Sequence, residues 1–132
     1  MISKNLTRQH DELYKLLHEM KSLGSNIDAN IDKIALNINL LAGKIGIHLQ
    51  SEDKYLYSVL LSSRNLETRK IAQYFIAEMG NIAKQFAEFK AKFNIKNKIL
   101  NNLDEFKVEY PKILNAILNR LNKEDKKLYV LL

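Results

Sequence analysis

The feature that most limits what this chain can fold into is a helical spacing of apolar residues. Apolar side chains recur at steps of three and four along four long segments, which places them on one face of a helix. The predicted inner face of the second segment ends with Leu56 and Val59, and that of the third includes Gln85 between Ile82 and Phe89. The chain has only four glycines and one proline, too few turn residues for a sandwich or a barrel. Its 132 residues suffice for one domain with its own core. The sequence therefore predicts a single all-α domain over residues 1–132.

Turn signals and polar breaks separate the four segments. The predicted helix bounds are Ser3 or Thr7 to Gly24, Asp28 or Asn30 to Leu61, Glu67 to Phe93, and Asp104 to the C-terminus. Pro111 lies in the last segment and predicts either a helix start near Tyr110 or a kink. Four long helices with short connections predict an antiparallel up-down-up-down four-helix bundle.

The charge pattern argues against several classes of protein. The net charge is +6, but the lysines are spread along the chain and only four basic residues are arginines, so we expect solvated helix faces and no nucleic-acid partner. No stretch approaches the ~20 apolar residues of a membrane span, and residues 1–10 lack the apolar core of a signal peptide. The absence of cysteine excludes disulfides, zinc ribbons and thiol nucleophiles. We expect a cytoplasmic protein without a membrane partner.

Each apolar stripe is interrupted by a side chain that can ligate a metal ion. The interruptions are His10, His48, Glu52, Glu78 and Glu124, with at least one in every helix. His48 and Glu52 are four residues apart and point the same way from neighbouring turns. A buried carboxylate without a partner costs several kcal/mol, and a divalent cation removes that cost. Mixed imidazole and carboxylate donors suit iron, manganese or zinc, so the pattern indicates a metal site.

Other residues on or near the stripes leave alternatives open. Arg120 lies on the fourth stripe, where it is able to neutralise one glutamate as a buried ion pair. The competing interpretation is therefore an interaction module, a metal-free bundle whose buried polar residues form an ion-pair network around Arg120. Tyr14 and Tyr74 lie one turn from His10 and Glu78, close enough to hydrogen-bond a ligand. His18 falls on a different face from His10 and is predicted to be peripheral.

Three segments resemble a known family. The run from Gly46 to Tyr57, with His48, then Glu52, then Leu-Tyr, resembles the second-helix signature of the hemerythrin-like (HHE cation-binding) domain. Residues 9–13, around His10, resemble the first-helix motif of that family. Residues 120–129, which also end in Leu-Tyr, resemble its acidic fourth-helix motif. The resemblance covers nearly the whole chain and implies an antiparallel four-helix bundle with a non-haem di-iron centre.

The resemblance implies a ligand set that this chain matches only in part. His10, His48 and Glu52 match, and Glu124 is the preferred match for the second bridging acid, with Asp125 as the alternative. The third helix has no histidine, and Tyr74 with Glu78 is the pair that stands in its place. Arg120 replaces the fourth-helix histidine, and a guanidinium does not ligate metals.

Two hypotheses follow from these departures. In the first, Glu78 becomes a ligand of a second metal, which gives a carboxylate-rich di-iron site. In the second, Arg120 takes the electrostatic place of the second metal and bridges Glu78 and Glu124. The second hypothesis leaves one metal on His10, His48, Glu52 and Glu124, or none.

The resemblance also implies a range of functions. Family members carry or sense dioxygen, respond to nitric oxide or redox signals, or handle iron. We therefore expect a protein that binds one or two iron ions and acts in oxygen, redox or nitric oxide sensing, in binding, or in iron handling. The alternatives are the metal-free interaction module and a small di-iron oxidase or ferroxidase, so enzymatic activity stays open. Dioxygen or another diatomic ligand, a protein partner and a homodimer are compatible with this expectation.

Overall fold

The chain forms helices almost throughout. The computed structural model describes residues 2–132, without the side chains of Ile2 and Ser3, so the predicted cap at Ser3 lies outside the described part. The helices are α1 (Ile2–Leu23), α2 (Ile27–Glu52), α3 (Leu66–Phe93), a short α4 (Lys96–Asn101) and α5 (Leu103–Lys123). No strand forms within residues 2–132, and the all-α prediction is confirmed.

The backbone stays helical beyond the ends of α2 and α5, but the type of helix changes. After α2 the chain continues through a π-helical turn, Asp53–Tyr57, and one more α-helical turn, Ser58–Leu61. After α5 it continues through a second π-helical turn, Glu124–Leu128, and a 3-10 turn, Tyr129–Leu131. Both π turns therefore begin at, or directly after, a glutamate that the sequence singles out as a ligand.

Helices α1, α2, α3 and α5 pack as an antiparallel bundle. Each of the four contacts its two neighbours, in the cyclic order α1, α2, α3, α5. The antiparallel order is visible between α1 and α5, where Tyr14 contacts Asn122 while Lys21, further along α1, contacts Asn115. The predicted four-helix bundle is confirmed. Within the described residues, no helix has both the length and the apolar character that crossing a membrane requires.

Two predicted helix starts are wrong. Thr7 does not begin α1, because the chain is already helical before it. Helix α2 is capped by Asn26, whose side chain accepts a hydrogen bond from the backbone N–H of Ala29 at 3.4 Å, and not by Asp28. The alternative predicted start, Asn30, has non-helical backbone angles (φ −123°, ψ 16°) and marks a kink in the first turn of the helix. The cap precedes the predicted positions because a 3-10 turn, Gly24–Asn26, joins α1 to α2 directly.

Pro111 is accommodated inside a continuous helix. Helix α5 runs through it from Leu103, so the predicted start near Tyr110 is wrong and the predicted segment start at Asp104 is off by one residue. The Tyr110 hydroxyl donates to the backbone carbonyl of Met20 at 2.6 Å. This buried hydrogen bond fixes α5 against the end of α1.

The bundle contains two apolar cores with a polar layer between them. The larger core includes a group of stacked and edge-on rings, Phe89, Phe93, Phe106 and Tyr110. The smaller core lies at the other end of the bundle and consists of Leu6, Leu56, Tyr57, Leu60, Ala72, Phe75 and Leu128. Along α1, α2 and α5, the interrupting polar residues of the sequence pattern fall between these cores and are buried. The fold therefore places its polar chemistry in the interior.

The predicted inner faces of the helices are correct except near Val59 in the second segment and Gln85 in the third. Val59, predicted on the inner face of the second segment, is 51% exposed, while Leu60 is buried. The π turn at Asp53–Tyr57 fits one extra residue into the helix, which moves the inner face on by one position. In α3, Gln85 is exposed and the adjacent Phe86 is buried in its place.

Candidate metal centre

Four of the five predicted ligands converge in the polar layer. They are His10 from α1, His48 and Glu52 from α2, and Glu124 at the end of α5, and we call them the central cluster. All four side chains are buried, and each offers one ligand atom within 4.8 Å of the others. Three different helices therefore bring imidazole and carboxylate donors to one point.

The spacing of these atoms suits a first-row metal ion. The Nε2 atom of His10 lies 3.1 Å from Nε2 of His48 and 2.8 Å from Oε1 of Glu124. The Nε2 atom of His48 lies 3.3 Å from Glu52 Oε2 and 3.5 Å from Glu124 Oε1. With metal–ligand bonds of about 2.1 Å, neighbouring ligands are about 3.0 Å apart at right angles and about 3.4 Å apart at tetrahedral angles. These four contacts are therefore close to the separations of neighbouring ligands around one metal ion.

Both imidazoles are held with their Nε2 atoms toward the centre. The Nδ1 atom of His10 lies 2.8 Å from Oδ1 of Asp125, and Nδ1 of His48 lies 2.8 Å from Oε1 of Gln9. Both partner oxygens accept hydrogen bonds, so each Nδ1 carries the hydrogen. A neutral ring then presents the lone pair of Nε2 to the cluster, which is the form that ligates a metal.

The central cluster has many hydrogen-bond acceptors and few donors. With both rings neutral and both carboxylates ionised, none of the four facing ligand atoms has a hydrogen to share. In addition, Oε1 of Glu52 is buried without a hydrogen-bond partner. A buried, unpartnered carboxylate oxygen is costly, and a cation at this point removes the cost. The residues present therefore fit a metal ion, by the chemistry of the donors as well as by their spacing.

The pKa values of the central cluster also indicate that a positive charge is favourable at this point. Burial lowers the pKa of His48, but the carboxylates of Glu124 and Glu52 outweigh it and raise that pKa to about 9. Burial raises the pKa of Glu52, and the nearby charge of Glu124 adds to this against the lowering effect of His48. Burial opposes ionisation of Glu124, yet its bonds to His10 and His48 hold its pKa well below the usual range. Without a metal, a proton on His48 supplies the missing charge.

Arg120 occupies the space beside the central cluster. Its side chain is buried, and its Nε donates to Oε2 of Glu124 at 2.6 Å while its Nη1 donates to Oε1 of Glu78 at 3.1 Å. Its Nη2 donates to the Tyr57 hydroxyl at 3.0 Å, and its Cζ lies 4.6 Å from the centre of the Phe75 ring. The guanidinium thus bridges Glu78 and Glu124, the contacts expected when it stands in for a second metal.

Glu124 has a different partner on each carboxylate oxygen. Oε1 faces His10 and His48 in the central cluster, and Oε2 accepts from Arg120. A carboxylate that bridges two metal ions divides its oxygens in the same way. In this chain the positive charge on the Oε2 side is the guanidinium of Arg120.

The fifth predicted ligand, Glu78, is not part of the central cluster. Its Oε2 accepts from Lys123 at 2.7 Å and from the Tyr74 hydroxyl at 2.9 Å, and its other oxygen faces Arg120. The side chain is 25% exposed, and although burial raises its pKa, these hydrogen bonds lower it overall. Tyr74 is exposed, so this group forms the outer end of the Arg120 network.

Two other predicted residues lie near His10 without entering the cluster. Tyr14 donates to Oδ2 of Asp125 at 2.7 Å, and Asp125 in turn accepts from His10. Asp125, the alternative to Glu124, therefore lies behind the imidazole, on the side away from the other ligand atoms. His18 is exposed, and its ring stacks on Tyr14 with centroids 6.4 Å apart.

Sequence reasoning missed Tyr129. Its hydroxyl donates to Oε2 of Glu52 at 2.8 Å and lies 2.8 Å from Nε2 of His10 and 3.4 Å from Nε2 of His48. An α-helix would turn residue 129 away from the face of Glu124. The π turn instead lets the backbone N–H of Tyr129 bond to the carbonyl of Glu124, five residues back, so both side chains share a face.

A signal for Tyr129 was present in the sequence. The pattern Glu-Asp-Lys-X-Leu-Tyr occurs twice, at residues 52–57 and 124–129, and each copy contains a π turn. The residue four places before the glutamate is His48 in one copy and Arg120 in the other. Each tyrosine contacts a residue of the other copy, since Tyr57 accepts a hydrogen bond from Arg120 while Tyr129 lies beside His48. The polar layer is thus built from two matching halves, one with a histidine and one with an arginine.

Comparison with known proteins agrees with the geometry. The family model described as the hemerythrin HHE cation binding domain matches residues 1–132, the whole chain. Neither the curated proteins nor the solved structures yield a match.

Proposed function

The chain belongs to the hemerythrin HHE cation-binding domain family, and we propose that it is a member that binds a single iron ion and responds to its redox state. The proposed ligands are His10, His48, Glu52 and Glu124. The observation that carries this proposal is the mutual spacing of their ligand atoms around one buried point, where the Nε2 atoms of both imidazoles lie 3.1 Å apart. The buried Glu52 carboxylate, whose Oε1 has no hydrogen-bond partner, adds to the need for a cation there.

The proposal of one ion, and not two, rests on Arg120. Its guanidinium lies between Glu78 and Glu124, where a second cation would have to be held. The guanidinium is always charged and has no lone pair to give, so it satisfies these carboxylates without binding a metal. Glu78 in this proposal is a partner of Arg120 and not a ligand.

Iron bound in this site supplies reversible one-electron exchange between its ferrous and ferric states. The residues of the chain set the conditions for that exchange. Asp125 and Gln9 fix the imidazoles, and the two apolar cores on either side keep bulk water from the buried donors. A single ion with a fixed guanidinium beside it favours oxygen-linked or redox-linked sensing, or iron handling, over reversible dioxygen carriage by a pair of irons.

Elemental analysis tests the proposal. Protein purified without a metal-affinity tag is reconstituted anaerobically with Fe(II), freed of excess metal and measured for iron per chain. We expect one iron in the native chain, none in Glu52→Gln and one in the matched variant Glu78→Gln. Two irons in the native chain, with one lost in Glu78→Gln, would instead show that Glu78 is a ligand. Competition with Mn(II) and Zn(II) in the same assay checks the identity of the metal.

A metal-free interaction module is the second candidate, and the completeness of the Arg120 network favours it. Each guanidinium nitrogen has a partner, namely Glu124, Glu78 and Tyr57. No bound iron in a natively folded chain would support this candidate and exclude the first. Oxidation of added Fe(II) under air with repeated turnover would support the ferroxidase alternative.

A further inference from the structure

The Tyr129 hydroxyl lies among the donor atoms of the central cluster. Its oxygen is 2.8 Å from His10 Nε2, 2.8 Å from Glu52 Oε2 and 3.4 Å from His48 Nε2. These distances fall in the same range as the four close contacts within the central cluster, which run from 2.8 to 3.5 Å. A point at bonding distance from the cluster atoms is therefore also close to the phenol oxygen.

The tyrosine is held in this position by its surroundings. Its ring stacks on that of His10, with centroids 4.6 Å apart and an angle of 30° between the planes. The π turn fixes its backbone through the hydrogen bond to the carbonyl of Glu124. Its own hydrogen is directed to Glu52, so the remaining lone pairs of the phenol oxygen are available on the side of the imidazoles.

We infer that Tyr129 is a fifth protein ligand, which binds the ferric ion as a phenolate. The inference rests on the proposed iron site. When the bound Fe(II) loses one electron to an external one-electron acceptor, the O–H bond of Tyr129 breaks and its proton leaves to solvent. A bond then forms between the phenolate oxygen and Fe(III).

Charge balance in the buried site supports this assignment. Oxidation of Fe(II) to Fe(III) adds one positive charge to an interior that already contains Arg120. An added charge in a medium of low dielectric is costly. The phenolate supplies one negative charge at the same point, so the net charge of the centre is the same before and after oxidation. Tyr129 therefore favours the ferric state, and a hard, anionic oxygen favours iron over zinc.

Optical spectroscopy of iron-loaded protein tests the inference. The protein is reconstituted with Fe(II), oxidised with ferricyanide, freed of the oxidant and measured for iron content, visible absorption and resonance Raman scattering. We expect a phenolate-to-iron(III) charge-transfer band with enhanced phenolate vibrations in the native chain. Tyr129→Phe should lose both features. Tyr57→Phe is the matched control, because Tyr57 is the equivalent tyrosine of the first Glu-Asp-Lys-X-Leu-Tyr copy. It should keep the band and the vibrations, since Tyr57 contacts Arg120 and not the central cluster.

The outcomes separate this inference from the proposed function. One iron per chain without the band in the oxidised native protein would overturn the ligand role of Tyr129 and leave the iron site intact. A band that persists in Tyr129→Phe would overturn it as well. Absence of iron from the native chain would reject both. If Tyr129→Phe does not fold, a band retained in the triple variant Tyr14→Phe/Tyr57→Phe/Tyr74→Phe still assigns it to Tyr129. These three are the other described tyrosines that contact Asp125, Arg120 or Glu78.

Discussion

At the scale of single residues, the orientation of the two imidazoles in the central cluster depends on side chains that are not candidate metal ligands. Asp125 and Gln9 each accept the Nδ1 hydrogen of one imidazole and so decide which nitrogen faces the cluster. The cluster residues themselves could be predicted from the sequence, because each interrupts an apolar stripe. The orienting residues could not, since Asp125 and Gln9 lie beside the stripe, where polar residues are expected in any helix.

Removal of Asp125 should weaken metal binding. In Asp125→Ala the Nδ1 hydrogen of His10 loses its acceptor, and the imidazole loses its preferred tautomer and orientation. We expect the affinity for Fe(II) to fall by about 10- to 100-fold, measured by competition with a chromogenic chelator. Asp53 is the matching residue of the other Glu-Asp-Lys-X-Leu-Tyr copy and is exposed, so Asp53→Ala should bind as the native chain does. Equal weakening in both variants would contradict the role of Asp125.

The metal-free protein should lose stability as the pH rises. The pKa of His48 is raised from 6.5 to about 9 in the folded chain, so its contribution is complete below pH 6.5 and is lost as the pH rises through about 9. The free energy of unfolding should fall by up to about 3 kcal/mol across this interval, measured by urea unfolding in the presence of a chelator. The decline should be absent in His48→Gln and present in His18→Gln. Metal affinity should change in the opposite sense, because the proton competes with the ion.

At the scale of helices, the two π turns explain most of what sequence periodicity missed. The periodicity correctly places long helices, because steps of three and four persist over many turns. A π turn adds one residue to the cycle and leaves no separate mark in the spacing of apolar residues. The spacing of apolar residues therefore predicts Val59 on the wrong face, and it gives Tyr129 no place among the ligand atoms. In both copies the extra residue directs a tyrosine at position five after the glutamate into the polar layer.

Three glycines in the middle of helices should lower the free energy of unfolding relative to alanine, and no close neighbour requires a glycine there. A Cβ atom added at Gly43, Gly46 or Gly80 would meet no atom within 4 Å. Alanine at each position should raise the free energy of unfolding by about 0.5–1 kcal/mol, measured by chemical denaturation. Gly24→Ala is the contrasting variant and should give no such gain, because its Cβ would lie 3.0 Å from the Tyr110 ring.

At the scale of the whole molecule, the apolar packing and the candidate metal ligands lie in different layers. The larger apolar core and the smaller one hold the helices together from both sides, and the polar layer lies between them. The arrangement of the bundle could be predicted from the sequence, whereas the division of its interior into three layers depends on how the helices are aligned along their axes. That alignment is fixed by contacts distant in sequence, such as Tyr110 with Met20.

A substitution in the larger core should separate stability from metal binding. Phe106 is fully buried among aromatic rings, and Phe106→Ala should lower the free energy of unfolding by about 3–5 kcal/mol. The folded fraction should still bind one iron per chain, measured by elemental analysis after gel filtration. A loss of iron from the folded fraction would show that the larger core also shapes the site.

The tethered guanidinium has a consequence for how the protein responds to the iron supply. A centre with two exchangeable ions passes through a half-filled state, and its loading curve depends on how one ion influences the other. In the proposed site one of the two cations is the guanidinium of Arg120, which is attached to the chain and always present. Loading should then follow a simple hyperbola in free Fe(II), with no lag and no steepening, so that occupancy reports the iron concentration gradually and not as a threshold.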